Sequence, residues 1–128
     1  MSHTKQRLNE SVEDYLETIL YLQNKIKDVR SIDIVREMNF SKPSVSVAMK
    51  NLRTKGYITI SEEGYIRLTP CGQKHAENVL EKHTILSNWL ISLGVDREIA
   101  LEDACRMEHA ISDESFLAIK ENIHSTSK

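Results

Sequence analysis

Breakers are scarce in this chain, with four glycines and two prolines among 128 residues. So few sharp turning points favour a mainly helical fold with short connections. Cysteine is rarer still: Cys71 and Cys105 are too few for a disulfide framework, and a reducing compartment keeps them as thiols. No apolar run is long enough to span a bilayer, and the polar start MSHTKQRLNE does not read as a secretory signal. The expectation is a cytoplasmic protein with no membrane partner. An excess of positive charge is missing too, since the formal net charge is -2, which argues against a uniformly basic nucleic-acid binder. Repeats, low-complexity tracts and flexible linkers are absent, and this length suits one core, or two small ones sharing a long helix.

The charge that is present is unevenly placed. Residues 1–70 carry eleven Lys/Arg against nine Asp/Glu, and residues 71–128 carry six against ten. Between Ser41 and Ser61 stand Lys42, Lys50, Arg53 and Lys55, with no acidic residue. A local basic patch holds phosphate even when the whole chain is acidic.

Apolar periodicity predicts the order of elements. Val12, Tyr15, Leu16, Ile19, Leu20, Leu22 and Ile26 give a helix over 11–26 with Ser11 as its N-cap. Ile32, Ile34, Val35 and Met38 give a short one over 31–38 capped by Ser31. After a tight turn at Asn39-Phe40-Ser41, Ser41 caps a third helix that has Pro43 near its first turn and stops at Gly56. Tyr57–Ile60 and Tyr65–Leu68, around a turn containing Gly64, predict a β-hairpin. This is the order of a winged helix-turn-helix. From Thr69-Pro70 a helix runs by way of Val79, Leu86 and Trp89 to Gly94, long enough to link two modules rigidly. A helix over roughly 98–111 and a last short one from Ser112 complete the chain, with a frayed tail from His124. The fold class expected is mainly α: an N-terminal winged helix-turn-helix over 1–70, then a helical C-terminal part over 71–128.

In a helix-turn-helix the second helix enters the major groove with its N-terminal residues toward the bases. Here that places Ser41, Lys42, Pro43, Ser44, Ser46 and Val47 at the DNA. Ser44 and Ser46 donate to phosphates or bases, and Pro43 and Val47 present apolar surface suited to thymine methyl groups. Lys50, Arg53 and Lys55 suit phosphates, and Arg67 adds a charge from the hairpin, whose tip is acidic at Glu62 and Glu63. The bland alternative is a solvated helix face that happens to lack acids. Recognition helices of this kind work as two-fold pairs, so a homodimer on double-stranded operator DNA is expected.

A second constellation is Cys105-Arg106-Met107-Glu108-His109. Positions i, i+3 and i+4 share a helical face, so thiol, carboxylate and imidazole converge there. Asp14 and Glu17 on the first helix and His83 on the long one supply further donors. Each has a structural alternative: the two acids favour a helix macrodipole, His83 is a partly buried histidine, and Cys105 is a small hydrophobe. Cys71, His75 and His124 are left as structural. A mixed set of five or six N, O and S donors suits octahedral Fe²⁺ or Mn²⁺ better than tetrahedral structural zinc. An enzyme with Cys105 as nucleophile and His109 as base is disfavoured, because i and i+4 side chains point alongside each other and no oxyanion hole or substrate loop is evident. A metal-independent winged-helix protein with a purely structural dimerisation domain stays open.

Glu13-Asp14-Tyr15-Leu16-Glu17-Thr18-Ile19, Pro43-Ser44-Val45-Ser46, Gly56-Tyr57-Ile58, Leu68-Thr69-Pro70-Cys71-Gly72 and Cys105–Ser112 resemble, in order, the diphtheria-toxin-repressor family of metal-dependent transcriptional regulators, which includes the manganese transport regulators. The resemblance implies a winged-helix DNA-binding domain over 1–70, a helical metal-binding and dimerisation domain over 71–128, and metal-activated repression of metal-uptake genes by a short form without the C-terminal SH3-like domain of longer members. It implies Asp14, Glu17, His83, Cys105, Glu108 and His109 as ligands to one or two divalent ions. Asp14 and Glu17 resemble the manganese branch, while Cys105 stands where that branch has Glu and matches the iron branch. Ser87 and Leu101 fall where iron-branch members have ancillary ligands, and Val47 replaces an iron-branch Gln.

Overall fold

Helix α1 (Ser2–Lys25) opens the chain in the computed structural model, which describes the backbone of residues 2–126 and the side chains of 12–125. It begins well before the apolar stripe does, so Ser11 is an interior residue and not the cap expected. The segment Lys5–Leu8 consists of good helix formers, and propensity extends the helix where periodicity gives no signal. The next correction is of the same kind. Helix α2 (Ser31–Met38) is capped at Arg30, not Ser31, and the Asp33 carboxylate accepts the Arg30 backbone N–H at 2.9 Å.

Asn39 ends α2 in the left-handed region, at φ 56°, which an Asn side chain tolerates better than most. Two residues later Ser41 caps α3 (Lys42–Thr54): its Oγ accepts the Ser44 N–H at 3.3 Å and donates to Ser44 Oγ at 2.8 Å, with Pro43 in the first turn. Ser41→Ala is expected to lower stability by about 1 kcal/mol. Urea unfolding reads this, and an unchanged midpoint would show that the cap carries nothing.

The wing is an antiparallel pair, β1 (Ile58–Ile60) and β2 (Ile66–Leu68), in register Ile58↔Leu68 and Ile60↔Ile66. Against β2 lies a single bridge, Val29↔Ile66. Tyr15, Leu16, Ile19 and Leu20 from α1 pack with Ile34, with Val45, Met49 and Leu52 from α3, and with Ile58 and Ile66. Each such side chain fully buried contributes about 1.5–3 kcal/mol of transfer free energy.

Helix α4 (Pro70–Ser92) starts on a tight junction. The Thr69 N–H donates to the Tyr57 carbonyl at 2.9 Å, and its hydroxyl donates to the Gly56 carbonyl at 2.7 Å while accepting the Gly72 N–H at 3.1 Å. Gly72 is buried hard against the main chain just before β1: a Cβ there would lie 2.0 Å from the Tyr57 carbonyl oxygen.

Chain contacts divide the protein into two compact units, Met1–Asn78 and Val79–Lys128. In the second unit the later part of α4 packs with α5 (Arg97–Ala110) and α6 (Asp113–Thr126) around Leu86, Ala104 and Phe116, flanked by Ile85, Trp89, Met107, Ile111 and Ile119. Helix α6 is longer than the short element expected, and it carries His124 within it; of the tail expected to fray, residues 127–128 lie outside the described residues. Among the described residues no helix is long and apolar enough to cross a membrane.

Candidate metal centre and nucleic-acid face

In the second unit α5 presents Cys105, Glu108 and His109 on one face, as their spacing requires. One donor atom from each lies within 4.8 Å of the others. They differ in access to water. Glu108 is 2% exposed, His109 is largely enclosed, and Cys105 is exposed. From α4, His83 joins this cluster: its Nδ1 lies 3.0 Å from Glu108 Oε2, and His109 Nε2 lies 3.4 Å from Oε1.

These approaches fall within ion-pair range, yet among the described residues neither Glu108 oxygen accepts an aligned hydrogen bond. A carboxylate taken out of water without aligned donors costs several kcal/mol unless positive charge compensates it. Two imidazole nitrogens and a nearby thiol around it make a donor set that a divalent transition ion satisfies, with N, O and S ligands of graded softness. The residues present therefore fit a metal.

In the first unit, Asp14 and Glu17 are half-buried on α1, beside the core residues Tyr15 and Leu16. The residues set aside as structural have ordinary surroundings. Cys71 is exposed at the start of α4. His75 stacks on Tyr57 at 5.5 Å between centroids, 3.7 Å from a Glu13 oxygen, and His124 is exposed.

The first unit also carries the basic face. Val45, Met49 and Leu52 turn inward with Ala48 partly buried beside them, and the other positions of α3 face solvent. Lys42, Pro43, Ser44, Ser46, Val47, Lys50 and Arg53 are all exposed, with Ser41 and Lys55 at the two ends. Val47, at 60% exposure, is a large apolar side chain offered to solvent in mid-helix. Tyr15, Pro43, Ser44, Val47, Ala48 and Asn51 line a shallow groove beside it. Phe40, also exposed, meets Tyr15 edge-on at 5.9 Å. On the wing Arg67 is exposed but paired with Asp28 at 3.3 Å. Sequence patterns do not flag Arg30, Asp28 or Tyr65, because their partners lie 35 and 39 residues away. The usable signal was the single apolar Val29 between charged neighbours, a half-buried strand in miniature.

Comparison with known proteins agrees across both units. The profile of the iron dependent repressor N-terminal DNA binding domain matches residues 7–67, and that of the iron dependent repressor metal binding and dimerisation domain matches 69–127. The transcriptional regulator MntR of Salmonella typhimurium is 37% identical over 121 residues, covering 92% of this chain and 76% of its own. The diphtheria toxin repressor of Corynebacterium diphtheriae is 29% identical over 108 residues, 84% of this chain and 48% of its own. The structure of the manganese regulator SloR aligns with a TM-score of 0.78 at 25% identity, over 88% of this chain and 53% of that one. The chain thus spans about half the length of that regulator.

Proposed function

Since the chain belongs to the iron-dependent repressor family of metal-dependent transcriptional repressors, we propose that it is a metal-activated repressor that binds operator DNA as a homodimer when Fe²⁺ or Mn²⁺ is held between its two domains. The genes it controls are metal-uptake genes, and it works in the cytoplasm, with no membrane partner and no enzymatic activity. Its domains are 1–70 and 71–128. The observation that carries this reading is the buried Glu108 carboxylate between two imidazoles and beside a thiol, which is better explained by a cation than by packing.

His83, Cys105, Glu108 and His109 hold one or two ions from the dimerisation domain, and Asp14 and Glu17 supply carboxylates from α1. A bound divalent cation supplies the positive charge that lets these acids and imidazoles share one site. Lacking it, the carboxylates repel one another and the two domains are free to reorient. Ligands drawn from both domains favour one domain orientation only by their differential affinity for it. In that orientation the paired α3 helices meet successive major grooves, roughly 34 Å apart. Pro43 and Val47 contact thymine methyls, and Ser44 and Ser46 meet bases or phosphates. Ser41, Lys42, Lys50, Arg53 and Lys55 hold the backbone, with Arg67 at the edge of the face, its charge partly offset by Asp28. A thiolate at Cys105 shifts preference toward the softer Fe²⁺.

Gel-shift on operator DNA with added Fe²⁺ or Mn²⁺, against the same protein in chelator, tests the switch. Binding is expected only with metal. Equal binding in chelator would point instead to the metal-independent winged-helix reading. Asp14→Ala is expected to remove the metal dependence as well, and its retention would exclude α1 from the site.

A further inference from the structure

A short antiparallel register orders the outer face of the wing. The Ile66 N–H donates to the Val29 carbonyl at 2.7 Å, and both side chains are buried, at 1% exposure each. Successive residues of a strand point to opposite faces, so one step either way sets Arg30 beside Tyr65 and Asp28 beside Arg67, facing out. The contacts follow that register. Arg30 Nη2 donates to the Tyr65 hydroxyl at 3.1 Å, and its guanidinium lies 4.8 Å from the ring centroid. Arg67 Nη2 donates to Asp28 Oδ1 at 3.3 Å.

The two arginines therefore differ electrostatically. Arg67 faces a carboxylate that offsets its charge. Arg30 donates to a neutral phenol, with Asp28 and Asp33 acting on it only from beyond ion-pair distance, while the stack restricts the long side chain. Asp33 is engaged by the backbone N–H of Arg30, and among the described residues it forms no ion pair with the guanidinium. Arg30 also stands at the N-cap of α2, the first helix of the helix-turn-helix, which crosses the phosphate backbone in this class of motif.

We infer that Arg30 is a phosphate contact on the wing side of the DNA face, pre-positioned by Tyr65, while Asp28 mutes Arg67. The inference rests on the DNA-binding reading above. Each neutralised phosphate adds about 0.9 to the slope of log affinity against log salt.

The test uses the full chain with Mn²⁺ and a duplex selected by it from a random-sequence pool, titrated over a range of salt. Arg30→Gln is expected to lower affinity several-fold and to flatten the slope by about one, with Arg67→Gln changing it much less. Arg30→Lys, which keeps the charge but not the fork, is expected to retain the slope even if affinity falls. An unchanged slope in Arg30→Gln, a larger change in Arg67→Gln, or a slope that stays flat in Arg30→Lys would each overturn the assignment. Failure of the parent chain to select any duplex would instead sink the DNA-binding reading itself.

Discussion

Replacing Glu108 by Gln is expected to abolish the response to metal while leaving the fold in place. The substitution keeps the volume of a side chain that is 2% exposed and removes the charge that draws two imidazoles around it. Loss of even an outer-shell partner typically weakens a metal site about 10–100-fold, so loss of this central carboxylate is expected to exceed about 100-fold. The measurement is a thermal melt of parent and variant, each in chelator and in Mn²⁺ or Fe²⁺. At an ion concentration about 100 times its dissociation constant, binding stabilises the native state by about 2.7 kcal/mol. In the parent that is a rise in melting temperature on the order of 10 °C. The variant is expected to melt at one temperature in both buffers and to give no metal-dependent gel-shift. A parent-sized rise in the variant would remove Glu108 from the site.

The second large effect is expected far from any donor. Gly72→Ala puts a Cβ 2.0 Å from the Tyr57 carbonyl oxygen, an atom that already accepts the Thr69 N–H. The obstacle is backbone, so no side-chain rotation relieves it, and the first turn of α4 has to lift off the wing. Overpacking costs about 1–3 kcal/mol where side chains yield, and more where main chain must move. A loss of at least about 3 kcal/mol corresponds to a fall in melting temperature on the order of 10 °C. Cys71→Ala, one residue away and exposed, is the control, expected within about 0.5 kcal/mol of the parent. Equal melting of the two variants would refute the close approach.

Much of this architecture was legible because its signals are local. Ser41, Pro43 and Gly56 bracket α3 within sixteen residues, and each acts on its own backbone. The Cys-x-x-Glu-His spacing, too, fixes a common face by helical geometry alone. What the spacing left unsaid is how these groups differ in burial. That depends on which of them α4 covers, and His83 meets Glu108 from 25 residues away. The wing pairs escaped for the same reason, since Arg30 finds Tyr65 only through a strand register that no window of sequence contains. At α1 the apolar stripe marks what is buried, whereas the helix itself begins at Ser2, ahead of that stripe.

The turn between α2 and α3 has a consequence for how such a protein changes its target. Asn39 in the left-handed region and the Ser41 cap fix the direction in which α3 leaves, and Val45, Met49 and Leu52 hold it down. The outward residues Ser46, Val47 and Lys50 take no part in that support. Exchanging exposed residues of this kind costs stability only within about 0.5 kcal/mol. Pose and vocabulary are thus kept on separate residues, and the operator can drift by single substitutions while the scaffold that delivers the helix stands still.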